Sequence, residues 1–92
     1  MLTWDHFCAA PGRAIDLLAH QDRVVIRAHR VDLVLTRIGL ASDKPHHLTV
    51  AVTELRDSRE KTRGLVRAAI ERGEVVKLSR YGWAEAVIER AS

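Results

Sequence analysis

The fold of this chain is decided by residues 48–90, LTVAVTELRDSREKTRGLVRAAIERGEVVKLSRYGWAEAVIER. The stretch opens with Leu48–Ala51, a short apolar run that predicts a β-strand. It closes with two runs, Glu74–Arg80 and Trp83–Ile88, on either side of the dipeptide Tyr81-Gly82. Because glycine takes a positive φ at no steric cost, this dipeptide predicts the turn of a β-hairpin. Helical sequence lies between the strand and the hairpin.

Two helical segments are predicted there. Thr53 can cap the first segment through its hydroxyl group, and Asp57 and Glu60 have the spacing of a capping box that restarts the helix after a kink. From about Glu60 to Arg72, the second segment carries an apolar stripe that is expected to face inward: Leu65, Val66, Ala69 and Ile70. Gly73 then predicts the end of the helix, since glycine favours the left-handed conformation found just after helix C-termini.

The size and composition are those of a small folded domain. The chain has 92 residues, of which 47% are hydrophobic and 29% charged, a balance typical of globular rather than disordered proteins. No apolar run approaches the ~20 residues of a membrane span, and the N-terminal residues lack the basic leader of a secretory signal. The single cysteine, Cys8, cannot build a disulfide framework. A cytoplasmic location is therefore expected.

The first half of the chain predicts a similar order of elements. Residues 2–20 are predicted to be mostly helical, with a break at a Pro-Gly pair. Two strands, Arg23–His29 and Asp32–Arg37, follow, and because no glycine joins them we expect a bulged or longer turn. Residues 39–46, GLASDKPH, are mostly small and polar and predict a linker between the two halves.

The two halves align as an internal repeat. Placing residues 2–37 on residues 53–88 matches the apolar helical positions and the strand positions. We predict repeat units 1–38 and 47–92 within a single compact domain, residues 1–92. One unit has too little core to stand alone, so a second copy would supply its partner within the chain. The first unit is expected to lack a leading strand. The alternative is that any chain of helices and hairpins self-aligns in this way.

Four segments of the second half carry a resemblance to a known family: Thr53-Glu54-Leu55-Arg56, the spaced Leu65/Val66/Ala69/Ile70, Gly73-Glu74-Val75-Val76, and Ser79-Arg80-Tyr81-Gly82. In this order they resemble the N-terminal domain of the Phd/YefM antitoxins, small DNA-binding repressors of toxin–antitoxin operons. The resemblance covers about half of the chain. It implies an α+β fold, with a β-α-α-β-β unit at residues 48–90 and a similar α-α-β-β unit at residues 2–38. Such units would pair as a homodimer or as a pseudo-dimer within one chain.

The resemblance also implies a function, in which the protein binds the double-stranded DNA of its operator and represses transcription. By this resemblance Arg56, in the first short helix, and Arg80, at the end of the first hairpin strand, approach the DNA. Arginine suits the role because its planar fork binds a guanine edge or a phosphate bidentately. Thr53, at a helix start, would present free N–H groups to phosphate. Further phosphate contacts are expected from nearby basic residues: Arg59, Lys61 and Arg63.

Several observations leave alternatives to DNA contact open. The formal net charge of +3 is mild, and a basic helix face is also typical of a solvated surface. The alternative for Arg56 is an ion pair with Glu60, one helical turn away. In the repeat alignment Asp5 and His29 stand in place of the two arginines. One chain would then present one half-site, and a palindromic operator would need two chains.

A toxin is the second partner that the resemblance implies. Family antitoxins continue beyond the hairpin into a tail that wraps the toxin, whereas only residues 89–92 follow the predicted hairpin here. Toxin binding by that route is therefore in doubt. The alternative function is a protein-interaction module that keeps the fold, has lost DNA binding, and binds a toxin or another protein.

No sequence pattern favours catalysis or a cofactor. Cys8 and His6 lie two positions apart, on different sides of a helix, so Cys8 is expected to be a buried apolar residue and not a nucleophile. His46-His47 has no further metal ligand at a recognised spacing, and there is no glycine-rich phosphate loop. The prediction is a non-enzyme without metal, cofactor or membrane contact. Trp4 and Trp83 are expected in the core or an interface rather than as base-stacking platforms.

Overall fold

A computed structural model describes residues 2–40 and 48–91. Within these ranges the predicted α+β class is confirmed, as a mixed six-stranded sheet with four α-helices. The elements in chain order are β1 (Leu2–Thr3), α1 (Trp4–Ala9), α2 (Pro11–Leu17), β2 (Arg23–Ala28), β3 (Val31–Arg37), a short 3-10 helix (Ile38–Leu40), β4 (Leu48–Ala51), α3 (Val52–Asp57), α4 (Arg59–Glu71), β5 (Val76–Arg80) and β6 (Trp83–Arg90). Most of the predicted linker, residues 39–46, lies outside the described residues, as does His46-His47.

The sheet has the strand order β1-β2-β3-β6-β5-β4. Its centre consists of two antiparallel hairpins, β2–β3 and β5–β6, which join through antiparallel pairing of β3 with β6. The edge strands β1 and β4 pair in parallel with β2 and β5. The order is therefore symmetrical about the β3–β6 junction, where Leu35 pairs with Ile88. Each half has the same order of elements: strand, helix, helix, strand, strand.

The prediction that the first half lacks a leading strand was wrong. Leu2–Thr3 forms β1, and its two residues pair with Ile26 and Arg27. In the second half Ala51 pairs with Ser79 in the corresponding register. A strand of two residues has no periodicity of its own to detect, because only its hydrogen bonds to a neighbouring strand define it.

The core lies between the sheet and the helices and is shared by both halves. Alternate residues of the strands, such as Val24, Ile26, Val76 and Leu78, face the buried sides of the helices. The largest contributions from the helices include Phe7 of α1 and its counterpart Leu55 of α3, both fully buried. Each lies four residues before the next helix begins. Cys8 is buried as expected.

Capping of the short helices differs from the prediction. Helix α3 begins at Val52 with Ala51 as its N-cap and no side-chain capping bond, so Thr53 lies within the first turn. In the first half Thr3 does cap α1, because its hydroxyl oxygen accepts a hydrogen bond from the His6 N–H at 3.3 Å. The predicted break between α3 and α4 is present at Ser58, but that residue makes no side-chain capping bond either.

The long helix α4 buries three of the four residues that are predicted to face inward. Thr62, Val66, Ala69 and Ile70 are buried, whereas the side chain of Leu65 is 55% exposed. Including Thr62 moves the centre of the buried stripe away from Leu65, which lies at its edge. The predicted end of the helix is confirmed. Gly73 has φ 84, and the N–H groups of Gly73 and Glu74 donate to the carbonyl oxygens of Ile70 and Ala69 at 2.9 and 3.1 Å, a Schellman motif.

The two hairpin turns are both short. Ala28 pairs with Val31, so only His29 and Arg30 form the first turn, and the predicted bulge or longer turn is absent there. His29 instead adopts φ 58, a left-handed conformation that is uncommon outside glycine and asparagine. The irregularity lies in the second hairpin, where the register shifts between Leu78 and Ser79.

Candidate nucleic-acid interface

A cleft of about 600 Å³ lies where the helices of the first half meet the hairpin turn of the second. Its walls come from the junction of α1 and α2, the start of α3, and the β5–β6 turn. The polar and aromatic residues that line it are Arg13, Asp16, Thr53, Arg56, Ser79, Arg80 and Tyr81. Three residues predicted from the sequence, Thr53, Arg56 and Arg80, therefore lie at one site.

Arg80 is anchored at this cleft by groups from both halves. Its Nε donates to Glu85 Oε2 at 2.9 Å, and its Nη1 donates to Asp16 Oδ1 at 2.8 Å and to the Gly12 carbonyl at 3.2 Å. The hydrogen bond to Asp16 is the main cause that raises the pKa of Arg80, so the guanidinium stays charged. The side chain is only 22% exposed. Arg80 thus joins the β5–β6 hairpin to α2.

Arg56 is a more open group than Arg80. Its side chain is 54% exposed, and its Nε and Nη2 donate to the two carboxylate oxygens of Asp57 at 2.8 and 3.2 Å. This bidentate bond raises the pKa of Arg56 and lowers the pKa of Asp57. The ion-pair partner is therefore the adjacent aspartate and not Glu60. A phosphate presents the same pair of acceptor oxygens as this carboxylate, so it can take the place of Asp57.

The other predicted contact residues lie apart from the cleft lining. Arg63 turns back to α3, where its Nε and Nη2 donate to the carbonyl oxygens of Leu55 and Arg56 at 3.0 and 3.3 Å. It satisfies carbonyl groups at the end of a helix, which is a structural role. Lys61 is exposed in the first turn of α4. Arg59 begins α4, and its side chain lies outside the described part of the chain.

The first half has no arginines at the corresponding positions. The pair Thr3–Arg27 of the first half corresponds to the pair Ala51–Ser79 of the second. Ala28 follows Arg27 as Arg80 follows Ser79, so Ala28 corresponds to Arg80. Cys8 lies as far after Thr3 as Arg56 lies after Ala51, so Cys8 corresponds to Arg56. The sequence alignment, which placed Asp5 and His29 there, was shifted because the halves differ in the lengths of their helices and turns.

The hairpin turn beside the cleft carries two exposed aromatic residues. Tyr81 is 88% and Trp83 is 76% exposed, whereas Trp4 is buried as expected. Of the two places expected for Trp83, the core is contradicted by this exposure, and the interface stays a prediction. Trp83 stands at the start of β6, opposite Arg80. The Arg80 guanidinium lies 5.8 Å from the centre of the Tyr81 ring. The adjacent Tyr-Gly turn was the signal in the sequence that could have indicated this exposure.

Cys8 offers no chemistry at the surface. Burial is the main cause that raises its pKa to about 12, so the thiol stays protonated and unreactive near neutral pH. Among the described residues, no group of three or more His, Cys, Asp or Glu side chains could hold a metal ion. In the same ranges no helix is both long and apolar enough to cross a membrane.

The fold and the cleft together define an α+β domain with an arginine-lined cleft shared between two similar halves. No family model matches the chain, and comparisons with curated proteins and with solved structures found no match either.

Proposed function

We propose that this protein is an antitoxin-like transcriptional repressor that binds double-stranded operator DNA in the cytoplasm, as the resemblance to the Phd/YefM family suggests. One observation carries the proposal. The residues that the resemblance selected from the sequence, Thr53, Arg56 and Arg80, line a single cleft. Thr53 and Arg80 are 27 positions apart in the chain, so local structure alone does not bring them together.

The proposed mechanism assigns different roles to the two arginines. Arg56 exchanges the Asp57 carboxylate for a guanine edge or a backbone phosphate, because its fork is exposed and already arranged for two parallel hydrogen bonds. Arg80 is fixed by Asp16, Glu85 and the Gly12 carbonyl. It positions the hairpin turn beside the DNA and adds a positive charge to the cleft.

We also infer that pairing of units takes place within one chain, as a pseudo-dimer. The symmetrical strand order and the Leu35–Ile88 pair at the centre of the sheet support this inference. The second half supplies Arg56 and Arg80, and the first half has Cys8 and Ala28 at the corresponding positions. A palindromic operator would then bind two chains, one at each half-site.

The proposal is tested by titrating the protein against duplex DNA from upstream of its own gene. Trp83, exposed beside the cleft, is expected to report binding by a change in fluorescence, and Trp83→Phe identifies that signal. Arg56→Ala is expected to weaken binding by ~1–3 kcal/mol if the arginine reads a base. Lys77→Ala is the matched control, since Lys77 alternates with the core residues Val76 and Leu78 and so lies on the other face of the sheet. Equal affinities for all of these proteins would remove Arg56 from the site.

A protein-interaction module is the second candidate function, and two observations favour it. Arg56 and Arg80 each already have a carboxylate partner, and exposed tyrosine and tryptophan beside an arginine are typical of binding hot spots between proteins. Salt separates the two functions. DNA binding falls with a log–log slope of about −0.9 per phosphate contact, whereas an apolar protein contact, such as one with a toxin, is far less sensitive.

A further inference from the structure

Arg13, which no sequence argument selected, lies at the same cleft as Arg56 and Arg80. It is the third residue of α2, in the half of the chain that lacks counterparts of the other two arginines. Its neighbour Gly12 accepts a hydrogen bond from Arg80 Nη1 at 3.2 Å, and one helical turn later Asp16 accepts another at 2.8 Å. These two bonds hold the start of α2, and with it Arg13, against the second half.

Arg13 differs from the other two arginines in its electrostatic partners. Asp57 is bonded to Arg56, and Asp16 and Glu85 are bonded to Arg80. Arg13 is exposed, and its side chain makes no hydrogen bond or ion pair with the described residues. An anion that enters the cleft can therefore bind Arg13 without displacing a carboxylate, whereas at Arg56 or Arg80 it must compete with one.

We infer that Arg13 binds a phosphate of the DNA backbone, so that the binding site is composite and uses a cation from each half. This inference rests on the proposed function and extends it. Arg13 supplies a phosphate contact that positions the duplex without reading its sequence, while Arg56 lies where it can reach a base edge. The first half then contributes to binding through α2, not through the positions that correspond to Arg56 and Arg80.

The second half contains a natural control for this inference. Lys77 of β5 alternates with the core residues Val76 and Leu78, so it lies on the other face of the sheet, and it does not line the cleft. Removal of the Arg13 or the Lys77 side chain lowers the net charge by one and leaves the core intact. A difference between the two variants therefore reports the location of the site and not the overall charge.

The experiment measures the affinity of wild type, Arg13→Ala, Arg13→Lys and Lys77→Ala for one operator duplex at several salt concentrations. Arg13→Ala is expected to reduce the log–log salt slope by about 0.9, the value of one phosphate contact. Lysine at position 13 should restore most of that slope, because a phosphate contact needs charge more than a planar fork. Lys77→Ala should leave the slope unchanged. The weakening by Arg13→Ala is expected to be similar for cognate and unrelated duplexes.

Two results would overturn the inference, and they differ from failure of the proposed function. A slope for Arg13→Ala that equals the wild-type slope, while Arg56→Ala still weakens binding, rejects the composite site and keeps the repressor. An equal loss of slope in Arg13→Ala and Lys77→Ala shows a diffuse electrostatic surface and also rejects it. If wild type binds no duplex at all, both proposals are wrong. Circular dichroism of each variant confirms that the exposed substitutions leave the fold intact.

Discussion

Substitution of Leu35 by alanine tests whether the two halves form one cooperative structure. Leu35 is fully buried and pairs with Val24 on one side and Ile88 on the other, so it lies where the hairpins meet. A buried Leu→Ala change costs about 2–5 kcal/mol. A domain of this size has a total stability of about 5–14 kcal/mol, so the change should remove a large fraction of it.

The assay is urea unfolding followed by two probes. Trp4 is buried in the first half, and its fluorescence in a Trp83→Phe background reports that half, whereas far-ultraviolet circular dichroism reports the whole sheet. We expect one transition with coincident midpoints in both proteins, a lower midpoint in Leu35→Ala, and an unchanged m-value. Leu65→Ala is the matched control, since that leucine is largely exposed and its loss should change stability by less than ~0.5 kcal/mol.

Two results would refute this reasoning. Separate transitions for the two probes would show that the halves unfold independently and that the β3–β6 junction does not couple them. A loss in Leu35→Ala no larger than that in Leu65→Ala would show that the junction contributes little to the core. In a double-mutant cycle, Leu35→Ala with Ile88→Ala should be non-additive by about 0.5–3 kcal/mol, because the two residues are direct neighbours.

Two further predictions concern Asp16 and Cys8. Asp16→Asn removes a negative charge from the cleft, while the amide oxygen of asparagine can still accept the hydrogen bond that fixes Arg80. Operator binding should therefore become a few-fold tighter, and stability should change by less than ~1 kcal/mol because Asp16 is exposed. Asp22→Asn, at an ion pair with Arg37 away from the cleft, is the control, and equal effects of the two variants on affinity would contradict the prediction. Burial raises the pKa of Cys8 from 9.0 to about 12, so the folded state holds a proton that the unfolded state releases above pH 9. The contribution of this protonated thiol to the free energy of unfolding is complete below pH 9 and falls as the pH rises towards 12. Wild type should therefore lose more stability than Cys8→Ala over that interval. Parallel curves of stability against pH for the two proteins would contradict the raised pKa of Cys8.

Much of the fold could be predicted from local sequence, because local chemistry specifies it. The Val-rich runs became strands and the Pro-Gly break separated α1 from α2. Gly73 ended α4 at the predicted place, because glycine adopts φ 84 without a steric penalty. These features depend on residues close together in the chain. Thr53, Arg56 and Arg80, which the family resemblance selected from the sequence, line one cleft.

The parts that could not be predicted depend on contacts between distant segments. The strand β1 exists only because two residues pair with β2. Leu65 is exposed because Thr62 belongs to the buried stripe of α4. Neither outcome has a signal in the surrounding residues, since each depends on contacts with segments that are distant in the chain.

The sequence by itself determined the class of fold, the order of most elements and the second-half residues of the candidate site. Tertiary structure decided how the halves join, which arginines have carboxylate partners, and that Arg13 of the first half lines the same cleft as Arg56 of the second. The physical reason is that hydrogen-bonding patterns and side-chain periodicity act over a few residues. The partner of a charged side chain such as Arg80 is chosen by groups that the folded sheet brings together from 64 positions away.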